Sequence, residues 1–122
     1  MPVLYSNLST PYTHTHSHAH TTMVVGVDYE AVRSKFPTES FVKVFTFNSA
    51  RKSMSTVIPL PGGGYRLFTK GASEIVLAKC SHIMAENGRT AVLSDVDKKE
   101  ILSNVVQSMA SSALRTIGLA YR

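Results

Sequence analysis

Cysteine, acidic residues and long apolar runs are all scarce in this sequence, and each shortage excludes something. Cys80 is the only cysteine, so no internal disulfide can form, which fits a reducing compartment. At the end of a helix-like run it reads as a small buried hydrophobe rather than a reactive thiol. No run approaches the ~20 apolar residues that a membrane helix needs, so this chain is not expected to cross a bilayer. Met1-Pro2-Val3-Leu4-Tyr5 has neither the basic region nor the apolar core of a secretory signal. A phosphate-binding G-x-x-x-x-G-K-[ST] string is also missing. Gly62-Gly63-Gly64 is followed by no helix start and reads as a hairpin connection. The shortage of acids leaves a net charge of +5. It is unevenly placed: from Phe41 onward there are eleven Lys and Arg against five Asp and Glu, whereas residues 1–40 hold two against three. A basic domain favours anionic partners without choosing among nucleotide, nucleic acid and acidic lipid.

What is present suffices for one domain with a modest core: 122 residues, 43% of them hydrophobic. Residues 1–22, rich in Thr, Ser and His, read as an unstructured tail. Met23 to Val27 is apolar and suits a short strand or a helix end. Asp28 is placed to cap a helix over 29–36, which Pro37 stops. The alternation in 41–47 predicts a strand with Phe41, Lys43, Phe45 and Phe47 on one face. Asn48-Ser49-Ala50 interrupts it as a turn or bulge. Segments 53–58 and 65–70 then form an antiparallel hairpin, and a helix follows over 72–79. Segments 81–85 and 90–93 pair around Asn87-Gly88. Ser94-Asp95-Val96-Asp97 has capping-box spacing, with aspartate in the usual glutamate place. It opens the longest helix, whose apolar stripe holds Ile101, Leu102, Val105, Val106, Met109 and Ala113. A last strand covers 114–121. This order has no regular βαβ alternation and predicts an α+β fold, an antiparallel sheet with helices packed against it.

The stretch from Phe45 to Glu74 carries the most specific signal. It contains Phe47-Asn48-Ser49-Ala50-Arg51-Lys52-Ser53-Met54-Ser55-Thr56-Val57 and, after the glycine connection, Lys70-Gly71-Ala72-Ser73-Glu74. A hairpin brings a ring and cations from the first segment close to a lysine from the second, whose local backbone is freed by Gly71. That combination suits an aromatic, multiply anionic ligand. Over roughly residues 28–122 the sequence resembles the nucleotide-binding domain of P-type cation-transporting ATPases, closest to the plasma-membrane calcium-transporting group. The Lys-Gly-Ala string is general to such pumps, and the longer Phe47–Val57 string is particular to the calcium group.

The resemblance implies a division into a tail, 1–22, and a partial nucleotide-binding domain, 23–122. It implies ATP as ligand, Mg-ATP in the parent enzyme, and the parent's phosphorylation and membrane domains as partners. It implies a place on the cytosolic face of the plasma membrane. Five residues are its expected nucleotide contacts. Phe47 would stack on adenine. Lys52 and Lys70 would meet phosphate or base, with Lys70 deep in the pocket beside Gly71. Arg115 would grip phosphate oxygens with its guanidinium fork. Arg51 reads as a surface charge. Glu74, in a first helical turn, suits capping or pairing rather than catalysis. The sequence departs from the family pattern at Ser49, where a second basic residue is expected, and before Met23, where no acidic residue can be matched to the one that helps hold adenine. No catalytic residue is assigned. The Asp-Lys-Thr-Gly-Thr segment that such pumps phosphorylate is absent, so this chain is expected to bind nucleotide without hydrolysing it.

Two other readings compete. A small basic nucleic-acid-binding module would use Phe45, Phe47, Tyr65 and Phe68 as a stacking sheet, although no RNA-motif string is present and nucleic acid is not the expected partner. A metal-binding tail would use His14, His16, His18 and His20, which share one face if extended. The tract contains no cysteine or carboxylate, and it reads as a solvated polar tail, so no metal ligands are assigned.

Overall fold

The computed structural model describes residues 2–4, 28–85 and 88–122. The alternating histidines, Met23–Val27 and the Glu86-Asn87 half of the predicted turn lie outside the described residues. Pro2–Leu4, within the stretch read as a tail, forms strand β1. Helix α1 (Tyr29–Lys35) begins where Asp28 Oδ1 accepts from the Ala31 amide at 3.0 Å. It ends at Phe36, and a single 3-10 turn, Thr38–Ser40, follows Pro37. Strands β2 (Lys43–Asn48), β3 (Ser53–Pro59) and β4 (Tyr65–Ala72) form a meander. Helix α2 (Ser73–Ala78) leads to β5 (His82–Met84) and β6 (Thr90–Val92).

Ser94 then caps helix α3 (Asp95–Ile101). Its hydroxyl accepts from the Asp97 amide, and the Asp97 carboxylate accepts from the Ser94 amide at 2.8 Å, which completes the expected capping box. The helix widens into a π-helical stretch, Leu102–Gln107, and closes as α4 (Ser108–Ser111). Ala113 turns the chain at φ 57°, and β7 (Ile117–Tyr121) ends the fold. The last strand is therefore shorter than the sequence predicts. Leu114, Arg115 and Thr116 precede it as a loop, because the left-handed turn at Ala113 delays entry into the sheet.

The strands run in the order β2-β3-β4-β7-β1-β5-β6. All pairs are antiparallel except β1 with β5. The fold is thus α+β, with helices against a largely antiparallel sheet. Residues directly opposite one another share a face, and successive residues alternate. Gly71 pairs with both Ser53 and Gly118, and Thr69 with both Ser55 and Ala120, so these define one face. A Cβ on Gly118 would stand 2.8 Å from Val76 Cβ, which shows that α2 packs on that face. There Val76, Leu77, Cys80, Leu93 and Ala120 form the core, flanked by Ile83, Ile101 and Leu102. Cys80 Sγ donates to the Val76 carbonyl at 3.1 Å, and burial pushes its thiol above the ordinary range. The thiol is a core group, as the sequence suggests.

The opposite face carries Met54, Thr56, Phe68, Lys70, Leu119 and Tyr121. The Phe68 and Tyr121 rings sit 6.4 Å apart there, and the Arg66 guanidinium lies 5.2 Å from the Tyr121 ring centre. One sequence expectation fails on β2. Phe45 pairs with Ser55 and Asn48 with Ser53, so a β-bulge separates Phe45 from Asn48. The extra residue breaks the period of two. Phe45 stays on the core face, while Phe47, next to Asn48, moves to the face of Met54 and Lys70.

Candidate functional site

Register gathers the sequence-predicted residues at one end of the sheet. Phe47 lies at the end of β2, and Lys52 in the turn into β3. Lys70 and Gly71 lie near the end of β4, and Arg115 just before β7. These four strands are consecutive in the sheet. Three strand spacings of about 4.8 Å make the span from β2 to β7 about 14 Å.

The ring is available. Phe47 is 63% exposed, because β2 is an edge strand and the bulge turns the side chain away from the core face. It is not a core phenylalanine. Lys70 is exposed and pairs across the hairpin with Met54, which is half-buried on the same face. Met54 was not a sequence candidate. It is placed by the register of a hairpin whose loop, residues 60–64, fixes no register by itself.

Lys52 is held by its backbone. Its amide donates to the Asn48 carbonyl at 2.7 Å, and its carbonyl accepts from the Ala72 amide at 2.9 Å. Its φ of 48° is in the left-handed region, which is sparsely populated by residues with a Cβ. The bond to Ala72 requires the turn to lie against β4. Gly71 permits this, since a Cβ there would stand 2.7 Å from Ser53 Cβ and 2.8 Å from Ser53 Cα, and closer still to the Lys52 carbonyl oxygen. Gly71 is therefore a close-approach glycine that joins the Lys52 turn to the Lys70 strand.

Arg115 lines a cleft of about 280 Å³ between the sheet end and the long helix. Glu74 and Thr116 are its other charged or hydroxylic walls, and Val106, Ala110 and Leu114 supply its apolar side. Glu74 stands in the first turn of α2. Among the described residues, Lys52, Lys70 and Arg115 form no ion pair, and all three are exposed. Phe47 and Lys70 share the outer face, whereas Arg115 lines the cleft on the helix side, so the structure brings these groups to one sheet end but not onto one face. Unneutralised cations beside an exposed ring suit an anion that also carries a flat apolar group. No carboxylate cluster of metal-ligating size occurs among the described residues, and no described helix is long and apolar enough to cross a membrane.

The nucleic-acid reading loses its geometric basis. Phe45 and Tyr65 stand on the core face by register, whereas Phe47 and Phe68 stand on the other. The four rings do not form a single stacking platform.

Residues 18–122 match the sequence profile of P-type ATPase cytoplasmic domain N. The chain is 55% identical over 95 residues to plasma membrane calcium-transporting ATPase 2 of Oreochromis mossambicus. It is 53% identical to plasma membrane calcium-transporting ATPase 4 of Bos taurus, and 52% identical to plasma membrane calcium-transporting ATPase 1 of Homo sapiens, over the same length. Each match covers 78% of this chain and 8% of the relative.

Proposed function

The chain belongs to the P-type cation-transporting ATPases, within their cytoplasmic domain N, and on that premise we propose that it binds an adenine nucleotide at the Phe47–Arg115 end of its sheet. The observation that carries this reading is the joint placement of an exposed ring and three unpaired cations on four consecutive strand ends. Phe47 stacks on the base, a contact worth about 1–3 kcal/mol. Lys70, with Met54 opposite, lines the pocket beside the base. Lys52 and Arg115 meet the phosphates, the first as a point charge and the second as a fork. Gly71 holds the Lys52 turn against β4. The nucleotide-binding unit spans residues 23–122, with Pro2–Leu4, from the stretch read as a tail, paired into its sheet as β1.

ATP supplies the phosphoryl group, and in the parent pump Mg-ATP is the bound form. The residues of this chain bind and orient the nucleotide and do no covalent chemistry. The parent is a calcium-transporting pump of the plasma membrane, and this domain, on the cytosolic side, delivers the γ-phosphate to an aspartate on another domain. Its contribution is proximity and orientation. Ser49, in place of a second basic residue, removes one phosphate contact and weakens the affinity.

Titration of the chain with ATP, followed by amide NMR shifts, tests the reading. Saturable shifts centred on Phe47, Lys70 and Arg115 are expected, and both Phe47→Ala and Lys70→Ala are expected to remove them. Shifts that persist unchanged in both variants refute the pocket.

A further inference from the structure

Arg51 reads from sequence as a plain surface charge, yet it is engaged. Its Nη2 donates to the Thr46 carbonyl at 2.9 Å, reaching back across the turn into the bulge of β2. A bulge takes its extra residue out of the regular ladder and re-aims the neighbouring side chains. Here the re-aimed side chain is that of Phe47. Asn48 completes the arrangement. Its Oδ1 accepts from the Ala50 amide at 2.9 Å and the Arg51 amide at 3.2 Å, and its carbonyl accepts from the Lys52 amide at 2.7 Å. One short turn is thus held at both ends. A single Arg51 guanidinium bond ties the turn to the bulge beside the ring, and the Asn48 side chain ties down the turn that carries Lys52 in its left-handed conformation.

We propose that Arg51 and Asn48 are positioning residues: together they form a latch that presets the Phe47 ring for the base, and neither touches the nucleotide. The inference rests on the nucleotide-binding reading above. It differs from a charge effect, because a latch acts on the base contact and a cation acts on the phosphates. It also differs from a general structural role, because both residues are exposed and lie outside the core.

The experiment uses the 122-residue chain and its Arg51→Ala and Asn48→Ala variants, with Lys99→Ala as a charge-matched control on the exposed side of α3. Each is titrated with ATP and, separately, with inorganic tripolyphosphate, and thermal unfolding is recorded for each. Both latch variants are expected to lose about tenfold in ATP affinity, the share of a stacking contact that a misaimed ring forfeits. The tripolyphosphate affinity of Arg51→Ala is expected to stay within about twofold of the Lys99→Ala control, as charge effects of one exposed cation are small. Asn48→Ala, which also loosens the turn that carries Lys52, is expected to lose less affinity for tripolyphosphate than for ATP. Amide exchange at positions 50 and 51 without nucleotide is expected to quicken in both, because the Asn48 acceptor is lost or its turn loosened. Equal losses for ATP and tripolyphosphate in Arg51→Ala overturn the latch and make Arg51 a phosphate cation. Unchanged ATP affinity in both variants overturns it as well. Failure of the unaltered chain to bind ATP is a separate result, which overturns the nucleotide reading itself and the latch with it.

Discussion

Replacing Gly71 with alanine tests the contact on which the site's geometry depends. The added Cβ would stand 2.7 Å from Ser53 Cβ and 2.8 Å from Ser53 Cα, and would press on the Lys52 carbonyl. These are mostly backbone or near-backbone atoms of the adjoining strand, so no flexible side chain can swing aside. Overpacking of this kind costs roughly 1–3 kcal/mol. The Ala72–Lys52 hydrogen bond lies at the same point, and stretching it forfeits about 1 kcal/mol. Against this, alanine lowers the entropy of the unfolded chain by about 0.4–1 kcal/mol, a gain available because Gly71 is not in the left-handed region. The net loss is about 2 kcal/mol, or a fall of about 8 °C in the unfolding midpoint. Denaturation followed by circular dichroism measures it. Gly62→Ala is the control, since a Cβ there meets nothing within 4 Å, and it is expected to be neutral or slightly stabilising. If Gly71→Ala is as stable as Gly62→Ala to within about 0.5 kcal/mol, β3 and β4 do not approach as described, and the coupling of Lys52 to Lys70 falls with it.

Other outcomes follow from the same structure. Phe47→Ala is expected to leave stability within about 0.5 kcal/mol of the parent chain, because the ring is exposed, while abolishing the ATP-induced shifts; a large loss of stability would identify the ring as a packing residue instead. Leu77→Ala, at a position 1% exposed in the core, is expected to cost about 2–5 kcal/mol in denaturant unfolding. The Asp97 carboxyl is held below the usual carboxylate range by hydrogen bonds from the Ser94 side chain and amide. A depressed carboxyl stabilises the fold above its unfolded value and loses that contribution as pH falls through the folded value. Fraying of α3 is therefore expected only on acidification below the ordinary aspartate range. It is measured by NMR titration of the Asp97 side chain, and Ser94→Ala is expected to raise the midpoint.

Much of this protein is legible in its local sequence. Asp28 and Ser94 mark helix starts through side-chain oxygens that accept from nearby backbone amides, and Pro37 ends a helix because it lacks an amide hydrogen and restricts the residue before it, a chemistry that needs no distant partner. The hairpin from β3 to β4 follows from two β-rich segments around glycines. The Phe47–Val57 and Lys70–Glu74 strings indicate the family, since both segments are present and in order despite the departure at Ser49. Legibility stops where a feature depends on pairing. The β2 bulge cannot be read from Phe45-Thr46-Phe47, whose alternation points to a single face. It arises from the register against β3. The cross-strand neighbour of Lys70, Met54, was missed for the same reason, and so was the bond from Arg51 to Thr46.

The amino-acid order alone determined most of the secondary elements, the absence of an internal disulfide, the family and the identity of the ring and cations on which the proposed nucleotide site rests. The tertiary structure alone decided that these groups share one end of a sheet, that Phe47 faces outward with Lys70, that Gly71 lies too close to Ser53 for a side chain, and that Arg51 bonds the Thr46 carbonyl. Helix caps and turns arise between residues a few positions apart, so the sequence carries them. Faces, close approaches and clefts arise between strands that are distant along the chain, and a single extra residue in one strand is enough to turn a side chain from one face to the other.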